Sequence, residues 1–124
     1  MSIGGGPVIL VVDDEPQITR VLRTTLSAQG YDIRVANDGE MALELMKNWT
    51  PHVVITDLAM PEQDGIETIR ELRRVSPGAK IIAFSGAYGG QFLKVAKEIG
   101  ADAVMHKPVS PEVLLGMVAE MLRQ

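Results

Sequence analysis

The sequence predicts an α/β fold, a doubly wound sandwich made from five strand–helix units. Short apolar runs alternate along the chain with segments whose apolar residues recur at helical spacing. Most of the runs are almost continuously apolar, which is typical of parallel strands covered by helices on both faces. Because strand–helix–strand crossovers are nearly always right-handed, the alternation favours one parallel sheet with helices on both sides. The alternation does not determine the strand order.

Five strands are predicted, and the second has the weakest apolar pattern. Each is followed by a segment with helical periodicity, which completes the five units. The predicted strands are Val8–Val12, Asp32–Ala36, His52–Asp57, Lys80–Ser85 and Ala103–His106.

The first two predicted helices carry recognisable end signals. Helical spacing after the first strand continues to Gly30, a residue type that commonly ends a helix. Asn37 followed three residues later by Glu40 forms a capping-box pattern, which predicts the start of the second helix. Trp49 is expected late in that helix as a partly buried packing residue.

The last three predicted helices are bounded in the same way. Asp64 with Glu67 repeats the capping pattern, and Ser-Pro-Gly at 76–78 ends the third helix. The fourth helix is expected over Phe92–Ile99. Ser110 is a predicted N-cap for the fifth, since the proline that follows it is favoured in the first helical position.

Composition limits the class of protein. The 124 residues predict a flexible N-terminal leader at 1–7 and a single domain at 8–124. A net charge of −4 argues against nucleic-acid binding by this domain, and the lack of cysteine excludes disulfides and thiolate chemistry. No apolar stretch approaches the roughly 20 residues that span a bilayer, and no signal peptide is recognisable. A cytoplasmic location without membrane contact is therefore expected.

Polar side chains follow four of the predicted strands at the point where each strand ends. Asp13 and Asp14 follow the first strand, Asp57 and Ser85 end the third and fourth, and Lys107 follows the fifth. Parallel strands place their carboxyl ends at one edge of a sheet, where ligands bind in such folds. Neighbouring carboxylates repel one another, so they favour a bound cation, and Mg²⁺ prefers such oxygen ligands.

Each of these residues also has an ordinary structural explanation. Asp13-Asp14 could cap the helix that follows, and Asp57 and Ser85 suit turns. Lys107 alone could be a solvated lysine. Its pairing with Pro108 is more specific, because proline cannot continue a strand ladder and tolerates a cis bond. A cis bond there would point the lysine back toward the other strand ends.

Taken together, these motifs resemble a response-regulator receiver domain, the CheY-like family of two-component signalling. The resemblance covers Val8 to about Leu122 and implies a flavodoxin-like sheet with strand order 2-1-3-4-5. The motifs that carry it are Asp13-Asp14, Asp57 with Met-Pro-Glu-Gln-Asp-Gly at 60–65, Ser85-Gly86 and Lys107-Pro108.

The resemblance implies a phosphorylation-activated switch. Asp57 would accept a phosphoryl group from the phosphohistidine of a sensor histidine kinase or histidine phosphotransfer protein. Asp14, Asp57 and the backbone carbonyl of Ala59 would ligate Mg²⁺, with Asp13 acting mainly through water. The domain would catalyse its own phosphorylation and slow dephosphorylation without being a metabolic enzyme.

Signal relay is also implied by the resemblance. Lys107 and Ser85 would bind oxygens of the phosphoryl group. An output partner would bind the face of the fourth helix, fifth strand and fifth helix, with the domain a monomer or a weak phosphorylation-dependent dimer. Val104 stands where the family commonly has a mobile aromatic residue, so the relay is expected to differ; Tyr88 could substitute for that aromatic.

Two other classes share parts of this pattern. A Mg²⁺-dependent aspartyl-phosphate phosphohydrolase of the haloacid-dehalogenase type would have a carboxylate two residues after the nucleophile, where this chain has Ala59. A flavodoxin-type cofactor-binding module would have a loop rich in Gly, Ser or Thr after the first strand. The Asp-Asp-Glu-Pro at 13–16 would instead repel a phosphate without a metal.

Overall fold

The computed structural model describes residues 6–58, 65–85, 90–107 and 110–124. Its five parallel strands form one sheet in the order β2-β1-β3-β4-β5, which confirms the predicted class and strand order. The strands are β1 Val8–Val12, β2 Asp32–Ala36, β3 Val53–Asp57, β4 Lys80–Ser85 and β5 Ala103–His106.

A helix follows each strand. The helices are α1 Pro16–Ser27, α2 Gly39–Leu45, α3 Gly65–Val75, α4 Gly90–Ile99 and α5 Pro111–Arg123. They form two layers, because successive strand side chains point to opposite faces of the sheet. One apolar cluster joins the sheet to α2, α3 and α4, and the other joins it to α1 and α5. Both faces of the sheet are therefore covered, as the continuous apolar strands predicted.

The start of α2 differs from the prediction by one residue. Asp38, not Asn37, has the extended N-cap backbone, and its side chain accepts a hydrogen bond from the Met41 amide at 2.8 Å. The predicted capping box of Asn37 with Glu40 is therefore wrong. Both Asn and Asp are good N-caps. Here Asn37 directly follows β2, and the helical backbone begins only after Asp38.

Two other helix boundaries also differ from the predictions. The second helix ends at Leu45, so Trp49 lies beyond it, partly buried and packed against the core. Its ring lies 5.3 Å from the guanidinium of Arg34, a cation–π contact. The fourth helix begins at Gly90, two residues before the predicted Phe92.

Several predicted end signals are confirmed. Ser110 is the N-cap of α5 and accepts a hydrogen bond from the Val113 amide at 3.1 Å. Gly30 has a φ of 89°, the left-handed conformation that glycine adopts without strain. Asp64, the predicted cap of the third helix, lies outside the described residues. Residues 1–5 of the predicted leader do as well, while Pro7 accepts a hydrogen bond from the Asp32 amide at 2.9 Å.

The amino-terminal edge of the sheet is held by one arginine. Arg73, near the end of α3, forms an ion pair with Asp102 at 2.7 Å and donates to three backbone carbonyls, those of Pro77, Ala79 and Gly100. The same Asp102 carboxylate accepts a hydrogen bond from the Ile81 amide at 2.8 Å. We call these contacts the Arg73 network. They tie the end of α3 to the starts of β4 and β5.

Candidate functional site

The opposite, carboxyl-terminal edge of the sheet carries the predicted polar residues. Val12 pairs with Thr56 and Asp57 pairs with Phe84, so the ends of β1, β3 and β4 are level. Asp13 continues β1 by one residue, with its amide bonded to the Ala36 carbonyl at 3.1 Å. This level register brings residues that are far apart in sequence to one place.

The central contact of the site is an ion pair between Asp57 and Lys107. The ammonium of Lys107 donates to Asp57 Oδ2 at 2.9 Å. It also lies 3.5 Å from Glu15 Oε1 and 3.8 Å from Asp13 Oδ2. One lysine from the end of β5 is thus shared among three carboxylates from the ends of β1 and β3.

Four carboxylates gather around this lysine. Asp13, Asp14, Glu15 and Asp57 each offer an oxygen, and these oxygens lie within 4.8 Å of one another. Asp13 and Asp57 are each only 1% exposed, whereas Asp14 and Glu15 are exposed. We call these four residues, together with Lys107, the acid pocket. It has a buried floor and a rim open to water.

Asp13 is fixed by the backbone of the turn that leads into α1. Its Oδ1 accepts a hydrogen bond from the Glu15 amide at 3.0 Å, an Asx turn. The N-cap of α1 is Glu15, which makes no side-chain capping bond. The alternative explanation of Asp13-Asp14 as simple helix caps is therefore wrong.

The pKa of Asp13 is raised by its burial and by the neighbouring negative charges. Burial raises the pKa of its carboxyl from an ordinary 3.8 to about 6, and the negative charges of Asp57 and Glu15 add to the rise. The hydrogen bond from the Glu15 amide and the charge of Lys107 act in the opposite direction. Asp13 Oδ2 is buried and has no hydrogen-bond partner among the described residues.

Lys107 remains a cation in these surroundings. Its burial favours the neutral amine, whereas the hydrogen bond and the negative charge of Asp57 favour the ammonium, and the net effect is a raised pKa of Lys107. Asp13 and Glu15 add to the same rise. The lysine is therefore a permanent positive charge at the floor of the acid pocket.

Ser85 is joined to the site through its main chain. Its carbonyl accepts a hydrogen bond from the Lys107 amide at 3.1 Å, which carries the β4–β5 ladder up to the lysine. The Ser85 hydroxyl is buried and has no hydrogen-bond partner among the described residues. Leaving a buried hydroxyl unpaired costs about 1–3 kcal/mol, so this group is available to a ligand oxygen.

Other predicted residues fall elsewhere. Ala59, Tyr88 and Pro108 lie outside the described residues, and so does the Lys107–Pro108 peptide bond, for which a cis form was considered. Val104 is partly buried in the face covered by α2, α3 and α4. His106, the last residue of β5, is exposed.

Two residues of the site were not predicted from the sequence. Glu15 contacts Lys107, and its position directly after Asp13-Asp14 was an available signal. Phe84 lies beneath the lysine, with its ring centroid 5.0 Å from the ammonium. Its signal was its place in the strand, since it pairs with Asp57.

The donor set of the acid pocket fits a hard divalent cation. The acid pocket as defined contains four carboxylates and one ammonium, an excess of three negative charges when all are ionised. The buried Asp13 oxygen that lacks a hydrogen bond is the kind of ligand that such an ion uses. The chemistry of the residues therefore suits Mg²⁺ better than Zn²⁺ or Cu²⁺, which usually have nitrogen or sulfur ligands in proteins.

Fold and pocket together define a class, the flavodoxin-like domains that carry an acidic site at the carboxyl edge of a parallel sheet. Residues 9–119 match the family described as response regulator receiver domain. The chain belongs to this family and is a receiver domain of two-component signalling. That is the function expected from its sequence, and these matches give no support to the phosphohydrolase alternative.

Similar proteins agree with this assignment. The chain is 40% identical over 116 residues to a probable transcriptional regulator, ycf27, of Porphyridium aerugineum. It is 38% identical over 117 residues to the alkaline phosphatase synthesis transcriptional regulatory protein PhoP of Bacillus subtilis. Each match covers 94% of this chain and 48% of the relative, so the chain spans about half the length of these curated relatives.

Solved structures show the same fold. A CheY-like receiver domain protein from Methanospirillum hungatei has a TM-score of 0.91 at 28% identity, covering 96% of this chain and 95% of its own. Chemotaxis protein CheY4 of Vibrio cholerae has a TM-score of 0.88 at 28% identity, and the match covers 95% of this chain and 100% of the CheY4 chain.

Within the described parts of the chain, no helix has the length and hydropathy needed to cross a membrane.

Proposed function

We propose that Asp57 is the phosphoacceptor of this receiver domain, which spans residues 8–124. The phosphoryl donor would be the phosphohistidine of a sensor histidine kinase or histidine phosphotransfer protein. The observation that carries the proposal is the 2.9 Å ion pair between Asp57 and Lys107 among four clustered carboxylates. This ion pair places the proposed nucleophile, Asp57, beside the ammonium of Lys107, and the surrounding carboxylates could bind a metal cation as well.

The transfer has a simple atomic balance. A carboxylate oxygen of Asp57 forms a bond to phosphorus while the bond from phosphorus to the donor imidazole nitrogen breaks. The electron pair of that bond leaves with the imidazole, which takes up a proton. Positioning and charge neutralisation supply most of the catalysis in phosphoryl transfer, so the fixed charges of the acid pocket are the main contribution of this chain.

Mg²⁺ is the cation that we place in the acid pocket. Asp14 and Asp57 would ligate it with the backbone carbonyl of Ala59, and Asp13 would act mainly through water. The bound ion would supply positive charge to the phosphoryl oxygens. The buried Asp13 oxygen without a hydrogen bond supports this assignment, because a cation nearby would satisfy it.

Lys107 and Ser85 are proposed to bind the phosphoryl group after transfer. The Lys107 ammonium already contacts the oxygen of Asp57 that would carry the phosphorus or lie beside it. The Ser85 hydroxyl would gain a hydrogen-bond acceptor that it lacks among the described residues. A ligand that supplies missing partners stabilises the state that binds it, which is the basis of a switch.

Output is proposed to pass through the surface of α4, β5 and α5 to a partner or a further domain. Relatives named as transcriptional regulators, about twice as long as this chain, support an output of that kind. We expect this domain not to bind nucleic acid itself, since its net charge is −4. A cytoplasmic location and a monomer or weak phosphorylation-dependent dimer belong to the same proposal.

Phosphodonor labelling tests the site. With acetyl phosphate and Mg²⁺ we expect one phosphoryl group per chain by intact-mass measurement, and none in Asp57→Asn or in excess EDTA. Asp32→Asn is the matched control, because it removes a carboxylate on the edge strand β2, where Asp32 pairs with Arg34. Labelling that survives Asp57→Asn would overturn the assignment of the phosphoacceptor.

A further inference from the structure

Phe84 is an aromatic residue of β4 that lies against the acid pocket. Its side chain is only 3% exposed, and the Lys107 ammonium lies over its ring at 5.0 Å from the centroid. Read from the sequence alone, it is an ordinary core residue of β4. The structure instead places it against the reacting end of the lysine.

The register of the sheet explains this position. Asp57 and Phe84 are paired across β3 and β4, and paired residues of neighbouring strands point to the same face. The Phe84 carbonyl also accepts a hydrogen bond from the Leu58 amide at 3.0 Å. The position of the ring beside Asp57 is therefore set by the backbone pairing of β3 and β4.

The ring and the carboxylate act on different parts of the lysine. The face of an aromatic ring attracts a cation but accepts no strong hydrogen bond, so the ammonium N–H groups stay available to oxygens. Asp57 takes one of them at 2.9 Å. The side chain of Lys107 is 21% exposed, a degree of burial at which a cation–π contact is stronger than at the open surface.

Without the ring, other carboxylates compete for the same ammonium. Glu15 lies 3.5 Å and Asp13 lies 3.8 Å from Lys107 Nζ, both on the β1 side of the pocket. A lysine side chain has many rotamers, and removal of the ring would leave more of them accessible. The ammonium would then spend less time at the oxygen of Asp57.

We propose that Phe84 is a positioning residue for phosphorylation, which holds the Lys107 ammonium at Asp57 through a cation–π contact. The inference rests on the proposed function of Asp57 and Lys107 and adds a residue to it. Loss of the ring removes none of the groups that take part in the reaction, because the nucleophile, the proposed metal ligands and the lysine are all still present. The expected defect is therefore a slower reaction and not its abolition.

The kinetic test compares substitutions of the same side chain. Phe84→Leu is expected to slow phosphorylation by acetyl phosphate with Mg²⁺ about fivefold, the factor that about 1 kcal/mol represents. Phe84→Tyr keeps the ring and is expected to restore a rate within about twofold of wild type. Ile82→Val is the matched control, since Ile82 is a buried residue on the same face of the same strand. It is expected to react at the wild-type rate.

A structural readout separates this inference from the proposed function. The ε-methylene protons of Lys107 are expected to show an upfield ring-current shift in the unphosphorylated wild type and in Phe84→Tyr, and to lose it in Phe84→Leu. The spectrum of the wild type needs no variant to fold and no phosphoryl donor. Unshifted protons there would overturn the inference, as would a Phe84→Leu rate equal to wild type or matched by Ile82→Val. Failure of the proposed function would appear separately, as labelling that persists in Asp57→Asn.

Discussion

The fold buries the carboxyl group of Asp13 in surroundings that disfavour its charged form. Burial and two neighbouring carboxylates raise its pKa from 3.8 to about 6, so the folded protein keeps a proton that the unfolded chain releases. The contribution of Asp13 to stability is therefore fully present below pH 4 and is lost as the pH rises through about 6. A bound cation would remove this penalty.

Replacing this charge should stabilise the metal-free protein. Asp13→Asn keeps an oxygen that can accept the Glu15 amide. We expect the free energy of unfolding in EDTA at pH 7.5 to rise by about 1–2 kcal/mol, with the gain shrinking as the pH falls from 6 to 4. Urea denaturation at several pH values measures it. Asp32→Asn should change stability by less than about 0.5 kcal/mol, and a destabilised Asp13→Asn would contradict the argument.

The site residues that were predictable share one property. Asp13, Asp57 and Lys107 are polar residues at the ends of apolar strands, so topology alone brings them together. Glu15 and Phe84 were not predicted because their roles depend on where the lysine side chain lies. That position follows from strand register and side-chain packing, which a pattern of apolar residues does not contain.

At the scale of single elements, the start of α2 depends on one side chain. Asp38→Ala should lower the free energy of unfolding by about 1 kcal/mol, because it removes the acceptor for the Met41 amide. Asn37→Ala is the neighbouring control and should cost less than about 0.5 kcal/mol. Urea denaturation of both variants decides which residue caps the helix. If Asn37→Ala lowered the free energy of unfolding more than Asp38→Ala, Asn37 would be the N-cap, as the sequence pattern predicted.

Strands were easier to predict than helix ends. The bounds of β1, β2, β4 and β5 were predicted without error. For β1, β4 and β5 the reason is that a largely buried strand needs a nearly unbroken apolar run, whose limits are visible in the sequence. Helix starts are less distinct, because several adjacent residues can cap and the backbone conformation chooses among them. The two-residue difference at α4 and the cap of α2 both have this origin.

At the scale of the whole molecule, the Arg73 network and the acid pocket lie at opposite edges of the sheet. Arg73 holds α3, β4 and the loop before β5 together through four acceptors. Its loss would leave the half-buried Asp102 carboxylate without its ion pair, along with three carbonyls without this donor. Removing one partner of such a pair is strongly destabilising.

Adjacent arginines on α3 provide a matched comparison. Arg73→Met should lower the free energy of unfolding by about 2–4 kcal/mol. Arg74→Met removes an exposed pair with Glu71 and should cost far less. Thermal denaturation of both variants measures the difference. At temperatures where Arg73→Met is folded, labelling of Asp57 should be unchanged. Equal losses in the two variants would show that the network adds little to stability.

Lys107 follows β5, a four-residue strand at the margin of the sheet, whereas Asp57 ends the central strand β3. Margins open more readily than centres in native proteins, in brief partial unfolding events. An opening limited to β5 and α5 would carry the ammonium away and leave the carboxylates assembled. If Lys107 acts as proposed, phosphorylation would slow before the whole domain unfolds. Amide hydrogen exchange would measure how often β5 opens, through a comparison of Met105 in β5 with Ile55 in the central strand β3.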